Sequence, residues 1–125
     1  PIEGVYGEGY NLLYQKSLIG LCFFSKINRD TWTERAFEIV SVGGLLVCER
    51  TAEAESYFID KEEAFFFSSI KELIEIITFL KNNINERNRV MRNGLERLKR
   101  SKHSVLDRAE MIYDNILRLS EEKIC

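Results

Sequence analysis

The sequence has one histidine, His103, and three cysteines, Cys22, Cys48 and Cys125. A single imidazole cannot build a histidine-rich metal site. His103 sits beside a basic stretch and reads as a helix-end residue, not a catalytic base. The cysteine number is odd and no two are close in sequence, which excludes a disulfide framework and a zinc-site spacing. Cys22 and Cys48 lie inside apolar runs, so both are expected to be buried, reduced thiols in a reducing, cytoplasmic compartment. Long hydrophobic runs are also missing. The longest, Leu18 to Phe24, is far short of the about 20 residues a membrane-spanning helix needs. No signal-peptide pattern opens the chain. Excess positive charge is missing too: the net charge is -2, which argues against a dedicated nucleic-acid binder. There is no internal repeat and no low-complexity segment. The first residue is Pro1, not Met, and the chain is expected to belong to something longer.

What remains is ordinary globular material. The 125 residues are 45% hydrophobic and 30% charged, enough for one domain with one core. Gly4 to Gly9 reads as a loop with a short helix after it, Tyr10 to Lys16. Three continuous apolar runs, Leu18 to Phe24, Leu45 to Cys48 and Ala64 to Phe67, read as strands buried on both faces, as in a parallel sheet. Thr31-Trp32-Thr33-Glu34 fits a capping box for a helix that runs to Val42 and exits at Gly43-Gly44. A short helix is expected at Ala52 to Phe58. Ser69-Ile70-Lys71-Glu72 opens another, with Ile70, Leu73, Ile74, Ile77 and Leu80 inward. Asn83 to Arg100 reads as a helix with Val90, Met91, Leu95 and Leu98 inward. Ser104 caps a last one, with Val105, Ala109, Ile112, Ile116 and Leu119 on one side. Strands alternating with helices make an α/β domain. Three strands are a small sheet, and the rest of the domain is expected upstream.

The chemistry points to Asp30 through Gly44. A buried strand, a loop and then a helix start is an anion-binding geometry, because free N–H groups and the helix dipole both favour negative charge. In an open parallel sheet, ligands sit outside the carboxyl ends of the strands. Glu38 is a carboxylate among apolar neighbours, and two readings stand. It is a surface ion-pair partner of Arg35, three residues earlier, worth a few tenths of a kcal/mol. Or it accepts hydrogen bonds from ribose hydroxyls. The basic run from Arg87 to Lys102 is broken by Glu96 and lacks aromatic interleaving, so it reads as a solvated helix face. Transient contact with a membrane surface stays open.

Residues Arg35 to Thr51, Arg-Ala-Phe-Glu-Ile-Val-Ser-Val-Gly-Gly-Leu-Leu-Val-Cys-Glu-Arg-Thr, resemble the "R-x-F-E-hydrophobic-x-x-x-G-G-x-L-L" block of group 1 glycosyltransferases. The nearest subset is the CgeB-like spore-maturation proteins. Phe58, Glu63 and Phe67, then Glu72-Leu73, then His103-Ser104 with Arg108-Ala109, resemble further family features in the same order. The resemblance spans Gly4 to Leu119. It implies a GT-B architecture, two Rossmann-like domains facing across a cleft, of which this chain would be the second half of the C-terminal, nucleotide-sugar-binding domain. The N-terminal acceptor domain would lie elsewhere in the protein.

Many retaining members carry two glutamates separated by seven residues. The second resembles Glu38, expected to bind the ribose; the first falls on Asp30, a shorter carboxylate. The backbone amides of Thr33 and Glu34, with Arg35, are expected near the donor diphosphate. No cofactor or metal is expected besides the nucleoside-diphosphate-sugar donor. The acceptor is not indicated. The runner-up reading is a non-catalytic α/β nucleotide-binding or assembly module.

Overall fold

The structure, a computed structural model, describes residues 4–122. Cys125 lies outside the described residues, and of Val105 and Glu122 only the backbone is described. The described elements are α1 (Glu8–Lys16), β1 (Gly20–Cys22), α2 (Glu34–Ser41), β2 (Leu46–Glu49), α3 (Ala52–Tyr57), β3 (Phe65–Phe67), α4 (Ile70–Asn82), α5 (Ile84–Arg100) and α6 (Val105–Glu122). The three strands form one parallel sheet in the order β1-β2-β3. Its register pairs Cys22 with Cys48 and Glu49 with Phe67. The α/β class and the parallel sheet are therefore as the apolar runs imply.

Those runs are continuous because the sheet is covered twice. Cys22, Leu46, Cys48, Ala64 and Phe66 face one core, filled from above by Ala36, Phe37, Ile39 and Val40 of α2. Leu45, Val47, Phe65 and Phe67 face the other, closed by Leu73, Ile76 and Leu80 of α4 and Val90 of α5. Strand alternation is present, but both faces are apolar, so the sequence does not display it. β1 departs from this. Leu21 is 37% exposed and Phe23 54%, because α4 covers β3 and β2 and leaves the same face of β1 open. Both cysteines are buried and free, and burial pushes both thiols above their ordinary range.

The helices correct four expectations. α1 begins at Glu8 instead of Tyr10, with Gly7 as its N-cap. The box at Thr31 does not form. Thr33 is the N-cap of α2, while the Thr31 hydroxyl donates to Glu53 of α3. In α4 the buried line is Leu73-Ile76-Leu80, leaving Ile70 63% and Ile74 58% exposed. In α6, Ala109, Ile112, Ile116 and Leu119 are exposed: no described part of the chain covers that face. Two other signals act as read. Ser69 accepts from the Glu72 N–H at 3.2 Å, and Ser104 and Asp107 cap each other.

Two close approaches fix how α2 and α5 sit. At the end of α2, the Gly43 N–H bonds to Val40 O and the Gly44 N–H to Ile39 O, with Gly43 at φ 81°. This glycine-dependent exit turns the chain into β2. In α5, a Cβ on Gly94 would stand 2.4 Å from the Glu63 carbonyl oxygen. That oxygen belongs to the backbone entering β3 and cannot swing aside. In an open helix, Gly→Ala gains about 1 kcal/mol. Here overpacking, typically about 1–3 kcal/mol, opposes it. Gly94→Ala is therefore expected to lower the unfolding free energy by up to about 2 kcal/mol, measured as a drop in the urea midpoint. A raised midpoint would mean that α5 does not approach Glu63 so closely.

Candidate functional site at the carboxyl edge of the sheet

The three strands end side by side, and the segments leaving them build the edge. Phe24 leaves β1, Glu49 and Arg50 leave β2, and Ser68 and Ser69 leave β3. These residues, with Lys26 and Asp30, line one hollow. A second hollow beside it is lined by Cys22, Phe23, Ser25, Asp30, Thr33 and Arg35. Asp30 belongs to both.

The loop from β1 to α2 is held by Glu49. Its carboxylate accepts the Phe24 N–H at 2.7 Å and the Lys26 ammonium at 3.0 Å. The Phe24 amide first, and then Lys26, hold the carboxyl below its ordinary 4.5. The loop then curls, with the Asp30 N–H on Ser25 O at 3.0 Å and Arg29 at φ 56°. Thr51 fastens its far end, donating to Thr31 O at 2.7 Å while accepting from the Ala54 N–H.

Arg50 ties the other elements together. Its guanidinium meets Glu55 of α3 at 2.5 Å, Asp60 at 2.7 Å and Glu72 of α4 at 3.6 Å. It also donates to Phe66 O at 3.2 Å. Asp60 in turn accepts the Phe66 N–H at 3.1 Å. One side chain thus joins the ends of β2 and β3 to the starts of α3 and α4. The sequence signal for it is a charged pair, Glu49-Arg50, directly after a buried run, with acidic residues at 55, 60 and 72.

Against this frame stands the start of α2. Thr33 is extended, and its hydroxyl does not cap the helix; it lies 3.6 Å from the Cys22 sulfur. The amides of Glu34 and Arg35 have no hydrogen-bond partner among the described residues. Asp30, Thr33 and Arg35 share one hollow; the Glu34 side chain is exposed and lines neither. Arg35 forms no ion pair among the described residues, so the surface pair with Glu38 is not made. Glu38 is exposed one turn further along and opens on a different hollow, with Val5, Tyr6, Tyr10, Asn11 and Ser41. There the Tyr10 hydroxyl donates to its Oε2 at 3.2 Å. The structure therefore groups Asp30, Thr33 and Arg35 and sets Glu38 beside them, across α2.

The other candidates have structural employment. His103 stacks on Phe37 at 5.1 Å and meets Tyr57 edge-on at 5.0 Å. In α5, Arg89 pairs with Glu86 and donates to Lys61 O, and Arg97 donates to Tyr57 O at 3.1 Å. Among the described residues no helix is long and apolar enough to cross a membrane, and no group of three or more metal-ligating side chains gathers.

Two outcomes follow for this edge. Arg50→Met leaves Asp60, partly buried, without its cation. Charged hydrogen bonds contribute about 1.5–3 kcal/mol, discounted for partial exposure, so a loss of about 1–3 kcal/mol is expected in a denaturant titration. An unchanged midpoint would show that the ion cluster holds nothing. Glu49 has a depressed pKa, so its stabilisation is complete above its ordinary value and is lost as pH falls through its folded value. The stability gap between wild type and Glu49→Gln is expected to be full at neutral pH and to close on acidification below 4.5. A gap that does not narrow at all as the pH falls below 4.5 contradicts this.

Comparison with known proteins is consistent with this architecture. The family described as Glycosyl transferase-like matches residues 2–114. No curated protein and no solved structure matches the chain. The family match begins before α1, takes in every described strand and reaches into α6, and on that ground the chain belongs to the glycosyl transferase-like family, whose chemistry in general moves a glycosyl group from a sugar donor to an acceptor.

Proposed function

We propose that this chain is the nucleotide-sugar-binding part of a GT-B glycosyltransferase, of the CgeB-like subset, and works in the cytoplasm. The observation that carries the reading is the start of α2. It lies uncapped at the carboxyl edge of a parallel sheet, with the Arg35 guanidinium, unpaired among the described residues, in the same hollow. A diphosphate suits that position: amide N–H groups and the helix dipole favour its charge, and a guanidinium binds two of its oxygens at once. Asp30, at the junction of the two hollows, would meet the donor sugar. Glu38, one turn along α2, would accept the ribose hydroxyls. The donor would then lie across the first two turns of α2, from Asp30 to Glu38. The chain's own contribution to transfer is to position the donor and stabilise the leaving diphosphate.

The open side of β1 supports an upstream half of the same domain. β1 is an edge strand, and exposed Leu21 and Phe23 suit a covering helix better than water. The acceptor-binding domain would lie further upstream. The alternative, a non-catalytic nucleotide-binding or assembly module, draws on the shorter carboxylate at Asp30. It keeps the diphosphate site and drops the transfer.

Calorimetric titration of uridine and guanosine diphosphates into the full-length protein tests the reading. Losing one charged hydrogen-bonding group costs about 1.5–3 kcal/mol. Glu38→Gln is therefore expected to weaken nucleotide binding roughly ten- to a hundredfold, with the melting temperature little changed because Glu38 is exposed. Equal affinities for wild type and Glu38→Gln would remove Glu38 from the donor site.

A further inference from the structure

We infer that Tyr10 is a positioning residue for Glu38, orienting its carboxylate for a vicinal diol. This inference rests on the donor-site reading above and deepens it. Glu38 projects from the exposed face of α2 and, among the described residues, has no ion-pair partner; its one side-chain hydrogen bond is from Tyr10. A free glutamate side chain in that place would sample many rotamers, and binding a ligand would have to order them. The Tyr10 hydroxyl holds Oε2 and leaves Oε1 without a partner among the described residues, on a side chain that lines the same hollow as Tyr10 and Asn11. A carboxylate oxygen accepts more than one hydrogen bond. Both oxygens therefore still have room for the two adjacent hydroxyls of a ribose, already set at one angle.

The anchor is itself anchored. Tyr10 stands in the first turn of α1, where its N–H bonds to Gly7 O at 3.1 Å. Its ring meets Tyr14 edge-on at 4.9 Å. Tyr14 packs on the α2-side core and against the exit of α2, where its Cβ would lie 3.4 Å from a Cβ on Gly44. The chain of contacts runs from the Gly43-Gly44 turn through Tyr14 and Tyr10 to Glu38. It begins just past the end of α2 and returns to α2 at Glu38, so α1 is placed against α2 by these two tyrosines. The neighbouring Tyr14 hydroxyl, burial and the Glu38 charge together push the Tyr10 hydroxyl well above the ordinary phenol range. It is therefore a protonated donor at neutral pH.

The test is a double-mutant cycle on the full-length protein, read by calorimetric titration of uridine and guanosine diphosphates. Tyr10→Phe keeps the ring and its contact with Tyr14 and removes only the hydroxyl. It is expected to weaken binding of the preferred nucleotide about three- to tenfold. In a Glu38→Ala background the same substitution is expected to change nothing, since there is no carboxylate left to orient. If Tyr10→Phe binds like wild type while Glu38→Ala is weakened, the positioning role falls and the donor-site reading stands. If Tyr10→Phe weakens binding equally in both backgrounds, Tyr10 acts without Glu38 and the inference is overturned. If Glu38→Ala binds like wild type, the donor-site reading falls first. A purely structural tyrosine would shift the melting temperature without producing a coupling to Glu38.

Discussion

The arrangement depends on the Arg50 guanidinium. Parallel strands bring all their carboxyl ends to one edge, and each end must turn away into a helix. At that edge the backbone joins β2 to β3 through the register from Val47 to Glu49 and the Arg50 N–H on Phe67 O, and among the described residues nothing from the backbone there reaches the helices. Arg50 adds charge-assisted hydrogen bonds to Glu55 and Asp60, an ion pair with Glu72 and a hydrogen bond to the Phe66 carbonyl. It is neither deeply buried nor freely exposed, its side chain being 30% accessible. That intermediate position limits the desolvation cost and still shields the contacts from water. Glu49, the preceding residue, points the other way along the edge and holds the β1 loop. Neighbouring residues at the end of one strand therefore hold both flanks of the site.

This frame explains why α2 presents its start to solvent. Thr31 and Thr51 bind the loop to α3, and Glu49 binds it to β2. The capping role that Thr31 could have played is given up to these ties. Thr33 takes the N-cap position with its hydroxyl turned to Cys22, so the first amides of α2 stay open. The structural demand of the loop and the open amides at the start of α2 have the same cause.

Much of this was legible in the sequence. Continuous apolar runs gave three parallel strands because β2 and β3 really are covered on both faces. Gly43-Gly44 marked the helix exit, and Ser69 and Ser104 marked two helix starts. The failures share a cause: each needed a partner that local pattern does not name. Thr31-x-x-Glu34 is a capping box only if Thr31 has nothing better to bind, and Glu53 is better. In α4 two apolar lines run side by side, and only the sheet decides that Leu73, Ile76 and Leu80 are inward and Ile70 and Ile74 are not. α6 has an apolar stripe but no described surface beneath it. Within the candidate site, strand, loop and helix order marked the loop and the start of α2, while Asp30, Thr33 and Arg35 themselves were named by the family resemblance and fall together in one hollow. The Tyr10 contact did not, since 28 residues separate it from Glu38 and nothing in either segment signals the other.

The central claim is that the open start of α2 receives a nucleoside diphosphate. Backbone amide resonances of the full-length protein, followed by NMR during titration with uridine and guanosine diphosphates, test it at the atoms concerned. The account predicts the largest shifts at the amides of Thr33, Glu34 and Arg35, with smaller ones at Asp30 and Glu38. Saturable shifts centred instead on α4, α5 or α6, with the start of α2 unmoved, would contradict it.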